Sequence, residues 1–309
     1  MRRYLLKKAG EIVPVLIGVT VIAFLLLKFA PGDPLYAIIG ERISKDRFEQ
    51  LKLNESNSPS SFIKQYGMYA AGIIKGNFGV SYITRQPVMK EYVKRFPNTF
   101  RLAVISVAFA IITGIAVGII ASVAKCQWIR IVFAFFATAG ISTPVFWFGL
   151  LLIFIFSRML HVVPASGMGD GKMIYIVLPA VTLGSRSAAY IARMTQSCMD
   201  DIMHSAYINA VRARGIRPLP VVLKHALKNA LIPIITLIGL DFGSYLNGSV
   251  LTETIFGWNG VGRYLVYAIT QRDYPVIMGG VVLGAAFFIV INIVIDICYV
   301  YVDPRIELK

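Results

Sequence analysis

Apolar residues in this chain run in long blocks, with neither the alternation of a half-buried strand nor the one-sided stripe of a soluble helix. A helix crossing a bilayer needs about 20 mostly apolar residues. Six segments meet that length: Glu11–Phe29, Leu102–Ala124, Ile131–Phe156, Met173–Ala192, Leu231–Thr252 and Val276–Tyr299. The pattern therefore predicts an all-α polytopic membrane protein with six transmembrane helices. The basic N-terminus "MRRYLLKKAGEIVPVLIGVTVIAFLLL" lacks a short core with a small-residue cleavage site, so it reads as a retained first span and not a signal peptide.

The polar stretches between the blocks set the orientation. Arg2, Arg3, Lys7 and Lys8 precede the first span, and Lys125 and Arg130 bracket the turn between spans two and three. With six spans these fall on the same side as the basic segment between spans four and five, which places that side, and both termini, in the cytoplasm. The chain divides into residues 1–30 (tail and first span), 31–98 (an extracytoplasmic loop), 99–302 (a five-helix core) and 303–309 (a cytoplasmic tail). Within the loop, "FIKQYGMYAAGIIKGNFGVSYITRQPV" has apolar residues at helical spacing, as expected of a segment lying on the membrane face or packed on the bundle. Gly114/Gly118 and Gly280/Gly284 have the spacing that lets helix backbones approach, within one subunit or between two.

Composition agrees with the pattern. Of 309 residues 57% are hydrophobic and 15% charged, and the mean hydropathy is +0.69, more apolar surface than a soluble domain can hide. The net charge of +15 would suggest nucleic acid in a soluble protein, but here it follows from basic cytoplasmic loops. Cys126, Cys198 and Cys298 are too few and scattered for a disulfide framework or a zinc site. No Gly-x-Ser-x-Gly, HExxH or Walker A loop occurs, and no paired intramembrane carboxylates. The sequence assigns no catalytic residue, metal site or bound cofactor, and any ATP-driven work would fall to another chain.

The segment that calls for explanation is "NAVRARGIRPLPVVLKHALKNALIP", Asn209 to Pro233, which has five Lys or Arg, one His and no carboxylate. "MDDIMHSAYINAVRARG" is helix-forming, and Asp200 and Asp201 suit the first turn of that helix. Gly215 breaks the backbone, Pro218 and Pro220 forbid continuation, and "VVLKHALKNAL" resumes a helix. A helix, a turn and a second helix make a compact cytoplasmic projection spanning about residues 196–230. Anionic lipid could account for its charge, though not for its Gly-Pro architecture.

Asn209-Ala210-Val211 followed by Gly215 has the spacing of the "EAA…G" loop of ABC-importer permeases, and "AYINAVRARGIRPLPVVLKHALKNALIP" resembles the dipeptide/oligopeptide/nickel branch. The resemblance spans nearly the whole chain, through "APGDP", "STPVFWFGLLLIFIFS", "VVPASG", "AAYIARM", "VLTETIFGWNGVGRYLVYAITQRDYPVIMG" and "DPRI". It implies the type I importer permease fold and a role in forming the translocation path for peptides by alternating access. It also implies a second permease subunit, two ATPase subunits that bind ATP and Mg, an extracytoplasmic binding protein, and a site in the cytoplasmic membrane. The coupling residues it implies are Tyr207, Asn209, Ala210, Val211, Arg212, Ala213, Arg214 and Gly215, with Lys224 and His225. Asn209 and Val211 depart from the family's acid and alanine, which removes an ionic contact at position 209. Nickel or a metal chelate is the alternative cargo. The alternative of another class is a self-sufficient secondary transporter, but no inverted repeat is visible.

Two charges lie within spans. Arg186 and Asp241 fall at similar depth, and an intramembrane charge persists if paired, wetted or snorkelled. They are expected to form an ion pair near an inner gate; the alternative is that Arg186 snorkels while Asp241 faces a wet cavity. Ser244, Asn247 and Glu253 supply polar groups for the path. Trp258, Arg263 and Asp273 are candidates for an outer lid or a contact with the binding protein.

Overall fold

The computed structural model describes residues 2–29, 61–246 and 249–302. Among the described residues the chain is helical, and the β structure is one isolated antiparallel bridge, Val80–Pro87. In order the helices are α1 (Arg2–Phe29), α2 (Ser61–Ile74), α3 (Val88–Val123), α4 (Gln127–Ser142) and α5 (Val145–Met159). They continue as α6 (Ile174–Met203), α7 (Ala206–Ala213), α8 (Pro218–Leu231), α9 (Pro233–Leu246), α10 (Val250–Ile255), α11 (Val261–Thr270) and α12 (Tyr274–Val302). Three helices, α3, α6 and α12, are each long and apolar enough to cross a membrane. Counting each bent pair as one span raises the number to five, and α1 adds a shorter apolar stretch, Ile12–Leu25.

Prolines account for the main departures from six simple spans. The third expected span is two helices, α4 and α5, meeting at 106°. Thr143 and Pro144 are both extended (ψ 127° and 128°), as a residue before proline prefers. Span five bends by 55° at Pro233 and ends at Leu246, so Thr252 and Glu253 belong to a separate short helix.

The bundle is organised around α3 and α6. A Cβ on Gly114 would stand 2.8 Å from the Ala188 carbonyl and from Ile191, and one on Gly118 would stand 2.6 Å from the Ala192 carbonyl. The small residues of α3 are therefore filled by α6 of the same chain, and Gly280 likewise abuts Leu265 of α11. α2 packs on the bundle: Tyr66 and Tyr69 meet Phe24 of α1 at ring distances of 5.7 Å, and the Tyr66 hydroxyl is 3.0 Å from that of Thr20.

The two ends of the bundle differ in chemistry. At one, Lys125, Arg130 and the basic segment come together. At the other, Asn98 and Thr99 of α3 meet the α10–α11 hairpin. Thr99 stands about 36 Å along the axis from the far end of α3, beyond a hydrocarbon layer of about 30 Å.

Candidate functional site

The basic segment forms a projection anchored on one face and open on the other. α6 runs on to Met203, so Asp200 and Asp201 lie in its last turn and not in the first turn of the projecting helix. The helix dipole disfavours acids there. Arg130 offsets this for Asp200, with Nη2 2.6 Å from Oδ2. Ser205, in extended conformation, then caps α7, its side chain accepting from the Ile208 amide at 3.4 Å.

α7 buries Ile208 and Val211, one turn apart, against Met199, Val221, Ala226 and Ala230. Its other face leaves Asn209, Ala210, Arg212 and Ala213 exposed, followed by Arg214 and Gly215. Val211 is thus an anchor in the core, which gives the departure from alanine a packing reason. Gly215 has φ +72°, a left-handed conformation costly to residues with a Cβ, and its N–H donates to the Arg212 carbonyl at 2.9 Å. Pro218 opens α8, where a missing N–H costs nothing. The Tyr207 hydroxyl lies 2.7 Å from Nδ1 of His225, joining α7 to α8, and Lys224 is exposed. The result is a small two-helix unit with a fixed turn and an exposed rim of Asn209, Ala210, Ala213 and Arg214.

The other expected site residues are scattered. Arg186 and Asp241 are near enough for the arginine's charge to act on the carboxylate, but the expected direct ion pair is not formed. Arg186 lies on the exposed side of α6, its guanidinium 5.7 Å from the Tyr190 ring centre, while Asp241 adjoins Ser187. Ser187 is hydrogen-bonded to the Tyr245 hydroxyl, which donates to the Leu183 carbonyl at 2.9 Å. Ser244 is exposed on α9, and Asn247 lies outside the described residues.

Glu253 has no accessible surface and therefore lines no path within this chain. It accepts from the Thr99 hydroxyl at 2.8 Å, the Arg263 amide at 3.0 Å and the Ser249 hydroxyl at 3.4 Å. Burial pushes its carboxyl above the usual range, against the opposing effect of these donors. The approach is so close that a Cβ on Gly260 would fall 2.4 Å from the carboxylate. Trp258 and Asp273 are also buried, which takes both side chains away from an outer contact surface. The Trp258 Nε1–H donates to the Asn98 carbonyl at 3.0 Å, and Asp273 accepts from Ser81 at 2.5 Å and from the Tyr82 amide at 3.1 Å. Of the three lid candidates only Arg263 is exposed, donating to the Gly257 carbonyl at 2.8 Å.

Comparison with known proteins decides the family. The model of binding-protein-dependent transport system inner membrane components matches residues 110–308, and that of their N-terminal region matches residues 1–103. The chain belongs to this family of inner membrane transport components. It is 37% identical to the dipeptide transport system permease protein of Alkalihalophilus pseudofirmus, over 99% of this chain and all of that protein. It is also 37% identical to its Escherichia coli K12 counterpart and to the glutathione transport system permease protein of the same strain, in both cases over the full length of both chains. In fold it is similar to a chain of the MetNI methionine ABC transporter in inward-facing form (TM-score 0.58, 21% identity, 69% of this chain and 97% of that one). An amino acid ABC transporter chain gives 0.53 at 15% identity, over 68% of this chain and 93% of that one. This family member is a multi-pass membrane protein with the importer permease fold.

Proposed function

We propose that this permease subunit forms half of the translocation path of an ATP-driven importer for short peptides. The observation that carries the substrate class is full-length identity of 37% to relatives named for dipeptide transport. A second permease supplies the other half of the path, an extracytoplasmic binding protein delivers the peptide, and two ATPase subunits bind ATP and Mg.

In this reading the rim of α7 docks on an ATPase subunit. When the ATPases close on nucleotide, α7 and α8 move as one body, because Ile208 and Val211 are rooted in the bundle and Tyr207 meets His225. The motion passes through α6 and α8 to the spans and exchanges inward-facing for outward-facing access.

Reconstitution of the complete complex in vesicles tests this. ATP inside and binding protein outside should drive accumulation of labelled dipeptide, with an unlabelled dipeptide competing and nickel not competing. Accumulation of nickel with no response to dipeptides would replace the substrate class while leaving the architecture intact.

A further inference from the structure

At the basic end of the bundle a cavity of about 480 Å³ opens between the turn joining α3 to α4, the end of α6 and the α7–α8 unit. Lys125, Arg130, His204 and Arg212 line it, with one acid, Asp200, which the Arg130 ion pair occupies. The His204 ring nitrogen meets the Asp200 carbonyl at 2.7 Å. Lys125 and Arg212 have no ion-pair partner among the described residues. The cavity therefore presents two cations without an ion-pair partner, beside the end of α3, a helix long and apolar enough to cross a membrane.

A second, apolar groove of about 140 Å³ lies beside it between the same three helices. On α3 the groove is lined by Thr113 and Val117, while the cavity begins at Ser122. On α4 the groove takes Phe133 and Phe136, and the cavity takes Arg130. On α6 the groove lies at Ala188 and Ala192, and the cavity at Asp200 and Met203. All three helices thus give the same order, apolar groove toward the middle of the bundle and cationic cavity at its end, with centres on the order of 10 Å apart. Trp128, two residues before Arg130, is 74% exposed, as aromatic side chains at the membrane interface often are.

We infer that this pair of spaces is a binding site for an anionic phospholipid, its phosphodiester in the cavity near Lys125 and Arg212 and an acyl chain in the groove against α4. Charge alone would fit any phosphate, and the adjoining groove selects an amphiphile. Basic pockets between helices on the cytoplasmic side are suited to such headgroups. The site sits against the α7–α8 unit and gives the membrane a direct contact with the part of the molecule proposed to move. The inference does not depend on which solute is carried.

Native mass spectrometry of the purified complete complex tests it, with phosphatidylglycerol, zwitterionic phosphatidylethanolamine and glycerol 3-phosphate added in separate arms. Phosphatidylglycerol should be retained in preference to phosphatidylethanolamine. Lys125→Gln, at an exposed position, should weaken its retention about fivefold, the contribution of one lysine near a membrane surface. Ala137→Phe, which fills the groove from a helix that buries none of its residues, should reduce it with the subunit composition unchanged. Equal retention of the two lipids, or no effect of Lys125→Gln, overturns the site. Glycerol 3-phosphate displacing phosphatidylglycerol, with Ala137→Phe silent, would make it a soluble-anion site instead. Cross-linking of Ala137→Cys to another subunit in native membranes would show that protein covers the groove and would equally overturn the lipid assignment.

Discussion

Glu253 shows how much one side chain holds together where α3 meets the α10–α11 hairpin. Replacing it with alanine strands the Thr99 hydroxyl and the Arg263 amide in a dry interior, a loss of about 2–4 kcal/mol, so Glu253→Ala should lower the melting temperature of the detergent-purified subunit sharply. Its pH response has a definite sign. Burial raises the folded-state carboxyl above its ordinary value of 4.5, so its stabilising contribution is full below that pH and is lost as pH rises through the folded value. The melting temperature of wild type minus that of Glu253→Gln should therefore shrink as pH rises above 4.5; a difference that grows as pH rises contradicts this assignment. At Gly215, a valine would force a Cβ residue into φ +72° at a cost of roughly 1–2 kcal/mol. Open space surrounds the position, so the subunit should still fold. Uptake by the reconstituted complex should fall several-fold, while an unchanged rate would show that the turn carries no force.

The helices divide into those the sequence makes plain and those that tertiary contacts decide. The long apolar runs of α3, α6 and α12 were legible because length and composition alone specify a spanning helix. The break at Thr143–Pro144 was written in the sequence too, but a run of apolar residues on both sides masks a proline bend. Asp200 and Asp201 look like the start of a helix because acids favour that end. Their true place, at the end of α6, depends on Arg130, seventy residues away. Ser205 before the Ile208/Val211 spacing was the readable cap signal. Glu253 reads as a path-lining group and Trp258 and Asp273 as exposed ones, because nothing local reveals that Thr99, Asn98 and Ser81 bury them. Close contact of α3 with α6 gives a direct test. Gly118→Leu would drive a side chain into the Ala192 carbonyl and Thr195, and overpacking of this kind costs about 1–3 kcal/mol or more. A fall in folded protein recovered from membranes checks it, and Gly10→Leu, at a position with open space around it, should be tolerated.

At the scale of the whole molecule, one end of the bundle holds the basic projecting unit, and the other is a hydrogen-bonded cap. If the basic end faces the cytoplasm, Cys126, exposed at the α3–α4 turn, should react with a membrane-impermeant maleimide in inside-out vesicles and not in intact cells; the opposite pattern inverts the topology. The central claim is that the α7–α8 unit receives force from a separate ATPase. The most direct measurement is a cross-link from Ala213→Cys, in a chain otherwise lacking cysteine, to a cysteine on the ATPase subunit of the reconstituted complex. The account predicts a cross-link whose yield changes with ATP and which blocks dipeptide uptake until it is reduced. Uptake that continues undiminished with the two chains locked together, or a chain that accumulates peptide with no ATPase present, would contradict it.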